Sequence, residues 1–297
     1  MIQVKGITKR FGDFTALDEL SLTVPTGAVY GLVGPNGSGK STIIRHITGI
    51  YRPDAGEILV DGQPVYENPA VKSRIAYIPD DVFYFNNASM HDMAKFYAGI
   101  YPNFSMERFD ALLNVFPLAP KRPMRRFSKG MQKQAAFVLC MAMQPEIMVL
   151  DEPIDGLDPV MRRQVWSLIM ADIAERNTTV LVSSHNLREL EDVCDHVGIL
   201  DHGKLLLERS LSEMQENICK ILIALPEGKQ LPQGLDIVHK SATGRLLTLI
   251  VRGKQEELTE ALNTAEPLFM DAVPLTLEEI FIYELGGVDY EVKDIIV

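Results

Sequence analysis

Apolar and polar positions along this chain alternate in two rhythms. Apolar runs at 28–33, 147–150 and 179–182, bounded by glycine, proline or acidic residues, read as strands buried on both faces. Residues 2–8 and 16–24 read as antiparallel strands about a turn at Gly12-Asp13. Residues 56–60 and 63–65 form a predicted hairpin, because Asp61-Gly62 suits a tight turn. A further strand is expected at 73–78, closed by Pro79. From about 83 to 144 helical spacing takes over. Met90, Met93, Phe96, Tyr97 and Ile100 share a face after Ser89; Met106, Phe109, Leu112, Leu113 and Phe116 do so after Ser105. Both stripes predict core faces. A helix over 129–143 precedes Pro145.

Strands and helices then alternate again. A helix is expected over 159–176, with Asp158 as N-cap and Pro159 in its first position. Asn186-x-x-Glu189 predicts another helix opened by a capping box. Residues 196–200 and 204–207 form a predicted hairpin around His202-Gly203. Beyond about 217 the chain offers strands at 220–224 and 246–251 and helices at 256–263 and 277–283, with turn-rich joints at Pro226-Glu227-Gly228 and Pro232-Gln233-Gly234. The pattern predicts an α/β core that carries an antiparallel β subdomain and a helical lobe at about 83–144, followed by a small α+β C-terminal domain. The expected division is 1–216 and 217–297.

Composition narrows the class. The chain has 297 residues, 46% hydrophobic and 23% charged, which suits a soluble globular protein. No apolar run is long enough to span a bilayer, and the strand-like start carries no signal-peptide pattern. A formal charge of −11 argues against broad nucleic-acid binding, which needs basic surface. Cys140, Cys194 and Cys219 lack metal spacing and read as small apolar residues of a reducing compartment.

One stretch carries chemistry. Gly34-Pro35-Asn36-Gly37-Ser38-Gly39-Lys40-Ser41-Thr42 matches the phosphate-cradling pattern G-x-x-x-x-G-K-[ST], between a predicted strand and a helix capped by Gly49. A loop that wraps a polyphosphate must turn its N–H groups inward, and glycine permits the dihedrals. Asn36, Gly37, Ser38, Gly39, Lys40, Ser41 and Thr42 are therefore the expected nucleotide contacts. Lys40 is expected near the β- and γ-phosphates, and the Ser41 hydroxyl on Mg²⁺. Asp151 and Glu152 end a predicted buried strand, Asp151 to hold Mg²⁺ and Glu152 to act as general base. His185 ends the next strand and would contact the γ-phosphate and orient Glu152 or the water.

These motifs, in this order, resemble the ATP-binding subunits of ABC transporters over about residues 2–215, on a P-loop NTPase core of the RecA-like kind. Gly34 to Thr42 is then the Walker A loop, and Met148 to Glu152 the Walker B strand. Ile154-Asp155-Gly156-Leu157-Asp158 is the D-loop, and His185 the switch histidine. The resemblance implies that Phe11 stacks on adenine. It also implies that Arg126-Phe127-Ser128-Lys129-Gly130-Met131-Gln132 is the signature, whose Ser128 and Gly130 meet the γ-phosphate held by a second ATP-binding subunit. Phe127, Lys129 and Met131 depart from the usual Leu-Ser-Gly-Gly-Gln. Where the family places a glutamine after Ile75-Ala76-Tyr77-Ile78-Pro79, this chain has Asp80, a candidate Mg²⁺ contact. Partners implied are membrane permease subunits and a second ATP-binding subunit, homodimer or heterodimer, at the cytoplasmic inner face of the cell membrane, with no nucleic acid. The segment Val82-Phe83-Tyr84-Phe85 is the candidate permease-docking surface. The C-terminal part resembles the accessory domain of ABC-2 exporter ATPases through Leu277-Glu278-Glu279-Ile280-Phe281. Residues 286–291 resemble the YtrB-like subgroup linked to cell-envelope export. Competing classes are an ABC ATPase acting on ribosomes or DNA, disfavoured by a single phosphate loop, and a regulatory ATPase of low turnover.

Overall fold

The computed structural model describes residues 1–213, 218–273, 275–279 and 283. The chain forms two compact units. The first comprises Met1–His185 and His196–Glu208; the second comprises Asn186–Asp195 and the described residues from Arg209 onward.

The first unit is built on β3 (Val29–Val33), β6 (Ile75–Ile78), β7 (Ile147–Asp151), β8 (Thr179–Ser184), β9 (His196–Asp201) and β10 (Lys204–Ser210), ordered β10-β9-β3-β8-β7-β6. β3 pairs in parallel with β8 and β9, and β7 with β6 and β8. Every residue of β3, β7 and β8 is buried, as expected of central parallel strands covered on both faces. Helix α1 (Lys40–Ile47) follows β3, with Gly49 just beyond it at φ +67°. A second, antiparallel sheet runs β2-β1-β4-β5 through β1 (Ile2–Phe11), β2 (Phe14–Val24), β4 (Ala55–Val60) and β5 (Gln63–Pro64). Its hairpin turn places Asp61 at φ +48° and Gly62 at φ +78°, the left-handed pair that such turns need. The pattern missed α2 (Pro69–Lys72), a single turn capped by Asn68, so β6 begins two residues later than expected.

The helical lobe contains α3 (Met90–Ala98), α4 (Met106–Val115) and α5 (Lys129–Ala142), started by Ser89, Ser105 and Ser128 respectively. Met90, Met93, Phe109, Leu112, Phe116 and Phe137 fill its core. The first stripe is corrected: Phe96 is 44% exposed and Ile100 53%, while Ala94 is buried. Positions 90, 93, 94 and 97 make the true helical face, and 96 lies off it. In the second stripe Met106 is also exposed. α6 (Pro159–Arg176) begins at Asp158, whose carboxylate accepts from the N–H groups of Val160 and Met161.

In the second unit, β11 (Ile218–Ala224), β12 (Asp236–Thr243), β13 (Leu246–Arg252) and β14 (Phe269–Val273) form an antiparallel sheet ordered β12-β13-β11-β14. Helix α7 (Gln255–Asn263) adds Leu258 and Leu262 to a core of Cys219, Ile221, Ile223, Leu249 and Val251. β12 and β14 escaped the pattern because none of their residues is fully buried. The helix expected from Asn186 is only a 3₁₀ turn, Leu187–Glu189. The Asn186 side chain accepts from the N–H of Arg188, two residues on, which tightens the chain into a turn. Arg188 pairs with Glu278 at 2.8 Å, and Leu277 N donates to Glu191 at 3.0 Å. Residues 277–279 are helical; of the rest of the helix expected to 283, only Tyr283 is described. The motif at 286–291 lies outside the described residues. All three cysteines are free and buried, and burial pushes the Cys140 thiol up to about 12.

Candidate nucleotide site

The loop between β3 and α1 has the backbone of a cradle. Gly37 lies at φ +85° and Gly39 at φ +110°, left-handed conformations that a side chain resists. A Cβ on Gly34 would fall 2.1 Å from the Leu200 carbonyl oxygen and 2.7 Å from Ser38 Oγ. Gly39 caps α1 with no side-chain hydrogen bond, so the first-turn N–H groups face the loop's concavity without a capping side chain. The Ser38 hydroxyl is buried and has no protein partner. An orphaned buried donor inside such a cradle fits a phosphate oxygen.

Lys40 is 6% exposed. Its ammonium donates to the carbonyls of Gly34 at 2.6 Å and Pro35 at 3.2 Å, and lies 3.5 Å from Glu152 Oε1. Burial lowers its pKa, opposed by the carboxylates of Glu152 and Asp151. Asp151 closes β7 and is buried. Burial raises its pKa, while hydrogen bonds from Ser183 and Ser41 pull the other way. Ser183 Oγ donates to Asp151 Oδ1 at 2.7 Å and accepts from the N–H of Glu152 at 3.0 Å. Glu152 itself sits at φ +45°, a left-handed conformation costly outside glycine and frequent where chemistry fixes a side chain. Its Oε2 lies 3.0 Å from His185 Nδ1.

Lys40, Ser41, Asp151, Glu152 and His185, drawn from α1 and the ends of β7 and β8, thus lie together. The hard oxygen donors Ser41 and Asp151 suit Mg²⁺, which takes few protein ligands beside phosphate and water. Among the described residues no three His, Cys, Asp or Glu side chains cluster to hold a metal alone. Asn36 and Gly37 are exposed at the loop's tip, and the Thr42 carbonyl bonds His46 Nδ1 at 2.7 Å. Phe11 ends β1, 47% exposed, edge-on to Tyr51 at 5.8 Å between ring centroids.

Asp80 is 54% exposed and pairs with Lys133 Nζ at 3.3 Å. Ser128 and Gly130 open α5 in the helical lobe; Ser128 Oγ accepts from the N–H of Met131. A Cβ on Gly130 would approach the Gly156 carbonyl to 3.2 Å, so α5 starts tight against the Asp155-Gly156 loop. The 82–85 segment splits. Phe83 and Phe85 are exposed, whereas Tyr84 is buried and its hydroxyl donates to the Gln132 carbonyl at 2.8 Å. Sequence reasoning missed Lys133 and Ser183. Their signal was faint: one polar residue in the buried stretch of a helix, and one at the end of an apolar strand.

Residues 17–155 match the family model of the ABC transporter. The chain is 32% identical to the ABC transporter ATP-binding protein YtrB of Bacillus subtilis over 97% of its own length and 99% of that protein's. It is 31% identical to the daunorubicin resistance ATP-binding protein DrrA3 of Streptomyces coeruleorubidus, covering 99% and 98%. A solved ATP-binding subunit of an ABC transporter superposes with a TM-score of 0.68 at 26% identity, over 72% of this chain and 92% of the other. Glycine cradle, buried lysine and strand-end carboxylates thus stand on a P-loop NTPase core, and the chain belongs to the ATP-binding subunits of ABC transporters, binding and hydrolysing ATP to energise a membrane permease.

Proposed function

We propose that Glu152 is the general base of hydrolysis and that the cycle drives export. Glu152 takes the proton of a water as its oxygen attacks the γ-phosphorus in line, and the bond to the β-phosphate oxygen breaks. His185 holds Glu152 Oε2, and Lys40 stands on the other carboxylate oxygen, where it meets developing phosphate charge. The observation that carries this reading is that one carboxylate touches both Lys40 and His185 from a left-handed backbone position. Ser41 and Asp151 would hold Mg²⁺, with the Asp80 carboxylate at the edge of the set; the ion supplies neutralisation of the triphosphate's charge. Asn36, Gly37, Ser38, Gly39 and Thr42 line the phosphates, and Phe11 stacks on adenine. Ser128 and Gly130 of a second subunit, homologous or identical, would close the site, which the exposed Ser128 hydroxyl at a helix start supports.

The permease docks on Phe83, Phe85, Phe96 and Ile100, an exposed apolar patch in which Phe85 and Phe96 meet edge to face at 5.1 Å. Docking holds the subunit at the inner face of the cell membrane; no helix of the described residues is long and apolar enough to cross it. Likeness to a daunorubicin resistance protein over nearly the whole chain supports outward transport. Steady-state hydrolysis by Glu152→Gln is the test. Turnover should fall by about a hundredfold or more while ATP binding persists. Turnover at the wild-type rate would remove Glu152 from the base role.

A further inference from the structure

Lys133 lies where a charge is costly. It sits on α5 at the head of a stretch in which Ala135 to Ala142 are all buried, and is itself 7% exposed. A buried ammonium persists only when its protons find acceptors. Two are present. Nζ donates to the main-chain carbonyl of Glu152 at 2.7 Å and pairs with Asp80 Oδ1 at 3.3 Å. The three groups come from different places: α5 of the helical lobe, the residue two beyond β6 where the chain leaves for that lobe, and the residue after β7. Glu152 is held on both sides of its Cα, since its N–H donates to Ser183 and its carbonyl accepts from Lys133. Those two bonds lock the φ +45° conformation that aims its carboxylate between Lys40 and His185.

We propose that Lys133 is a positioning residue. With Asp80 it forms a charged latch that fixes the backbone of Glu152, so that hydrolysis, rather than ATP binding, depends on how the helical lobe is seated. The ion pair is one whose lysine also reaches the main chain, so that one ammonium ties Asp80 to the Glu152 carbonyl. The inference rests on Glu152 being the base.

The test compares Lys133→Met, Asp80→Asn and the double variant with wild type in the full-length protein, measuring kcat and KM for ATP. Lys133→Met keeps the aliphatic stem and removes the donor. It should lower kcat tenfold or more with KM changed less than about twofold, because the lost interaction orients the base and does not touch ATP. Lys133→Arg should recover part of kcat. The double variant should be little worse than Lys133→Met, since both substitutions break one latch. An Asp80 that served only the metal would instead add its loss in full. Lys133→Leu, which also removes the donor, replaces Lys133→Met if the latter does not fold, with the same reduction in kcat expected. Wild-type kcat in a folded Lys133 variant, a rise in KM alone, or fully multiplicative losses would overturn the latch. Glu152→Gln, run in parallel, separates the two ideas. If it turns over normally, the base assignment fails; if it is inactive while Lys133→Met matches wild type, only the latch fails.

Discussion

Asp151 shows what a working site costs at the scale of a residue. Its carboxyl is 2% exposed and its pKa stands above the ordinary aspartate value, mainly through burial. A carboxyl whose pKa is raised on folding favours the folded state when protonated and opposes it when ionised. That penalty sets in as pH rises above the ordinary aspartate value, is complete above the raised folded pKa, and is absent below the ordinary range. Asp151→Asn should therefore stabilise the nucleotide-free protein at pH 7. The gain should vanish in acid, and ATP hydrolysis should be lost at all pH values. Urea unfolding at pH 7 and pH 4 checks the sign; a less stable variant at pH 7 would mean that Lys40 and the two serines already overcompensate the buried charge.

Between elements, the helical lobe is fastened to the core by charge as well as by packing. Arg108 of α4 pairs with Asp172 of α6, and Asp172 also lies 3.7 Å from Arg176. Asp172 is 1% exposed, so its charge depends on those partners. Arg108→Met should destabilise the protein by up to about 3 kcal/mol, because it leaves the buried carboxylate with only the more distant Arg176. Replacing both residues, Arg108→Met with Asp172→Leu, should restore most of the loss, since the buried carboxylate is gone and Arg176, partly exposed, turns to water. Chemical denaturation of the three variants measures this. A double variant as unstable as Arg108→Met would show that shape, and not charge, joins α4 to α6.

At the scale of the whole molecule, folding leaves the aromatics at 83 and 85 in water, among other exposed apolar side chains of the described residues. Phe83 is 74% exposed and Phe85 49%, on a chain of net charge −11 that otherwise favours water. Aromatic anchors at the centre of an interface are worth about 2 kcal/mol each. Phe83→Ser with Phe85→Ser should therefore weaken retention on a tagged, co-expressed permease by a hundredfold or more on that scale. Undiminished retention in detergent extracts would place the permease elsewhere. Tyr84 between them is excluded from this role, because its ring is buried and its hydroxyl is bonded to Gln132.

The order of residues alone determined the parts whose physics is local. The glycines of the phosphate loop, the helix starts at Ser89, Ser105, Ser128 and Asp158, and the Asp61-Gly62 turn follow from dihedrals and hydrogen bonds spanning a few positions. The carboxylates at 151 and 152 were legible for the same reason, as the end of an apolar strand. Contacts that close over long loops belonged to the tertiary structure. Asp80 finds Lys133 across 53 residues, and Ser183 finds Asp151 across 32. Nothing near either residue in the chain specifies that meeting. Tertiary packing likewise chose Ala94 over Phe96 for the lobe's core and recruited β12 and β14, weakly patterned strands, by pairing each with a neighbour already in the sheet. A periodicity states which residues share a face; only the surface that meets that face decides which of them leave water.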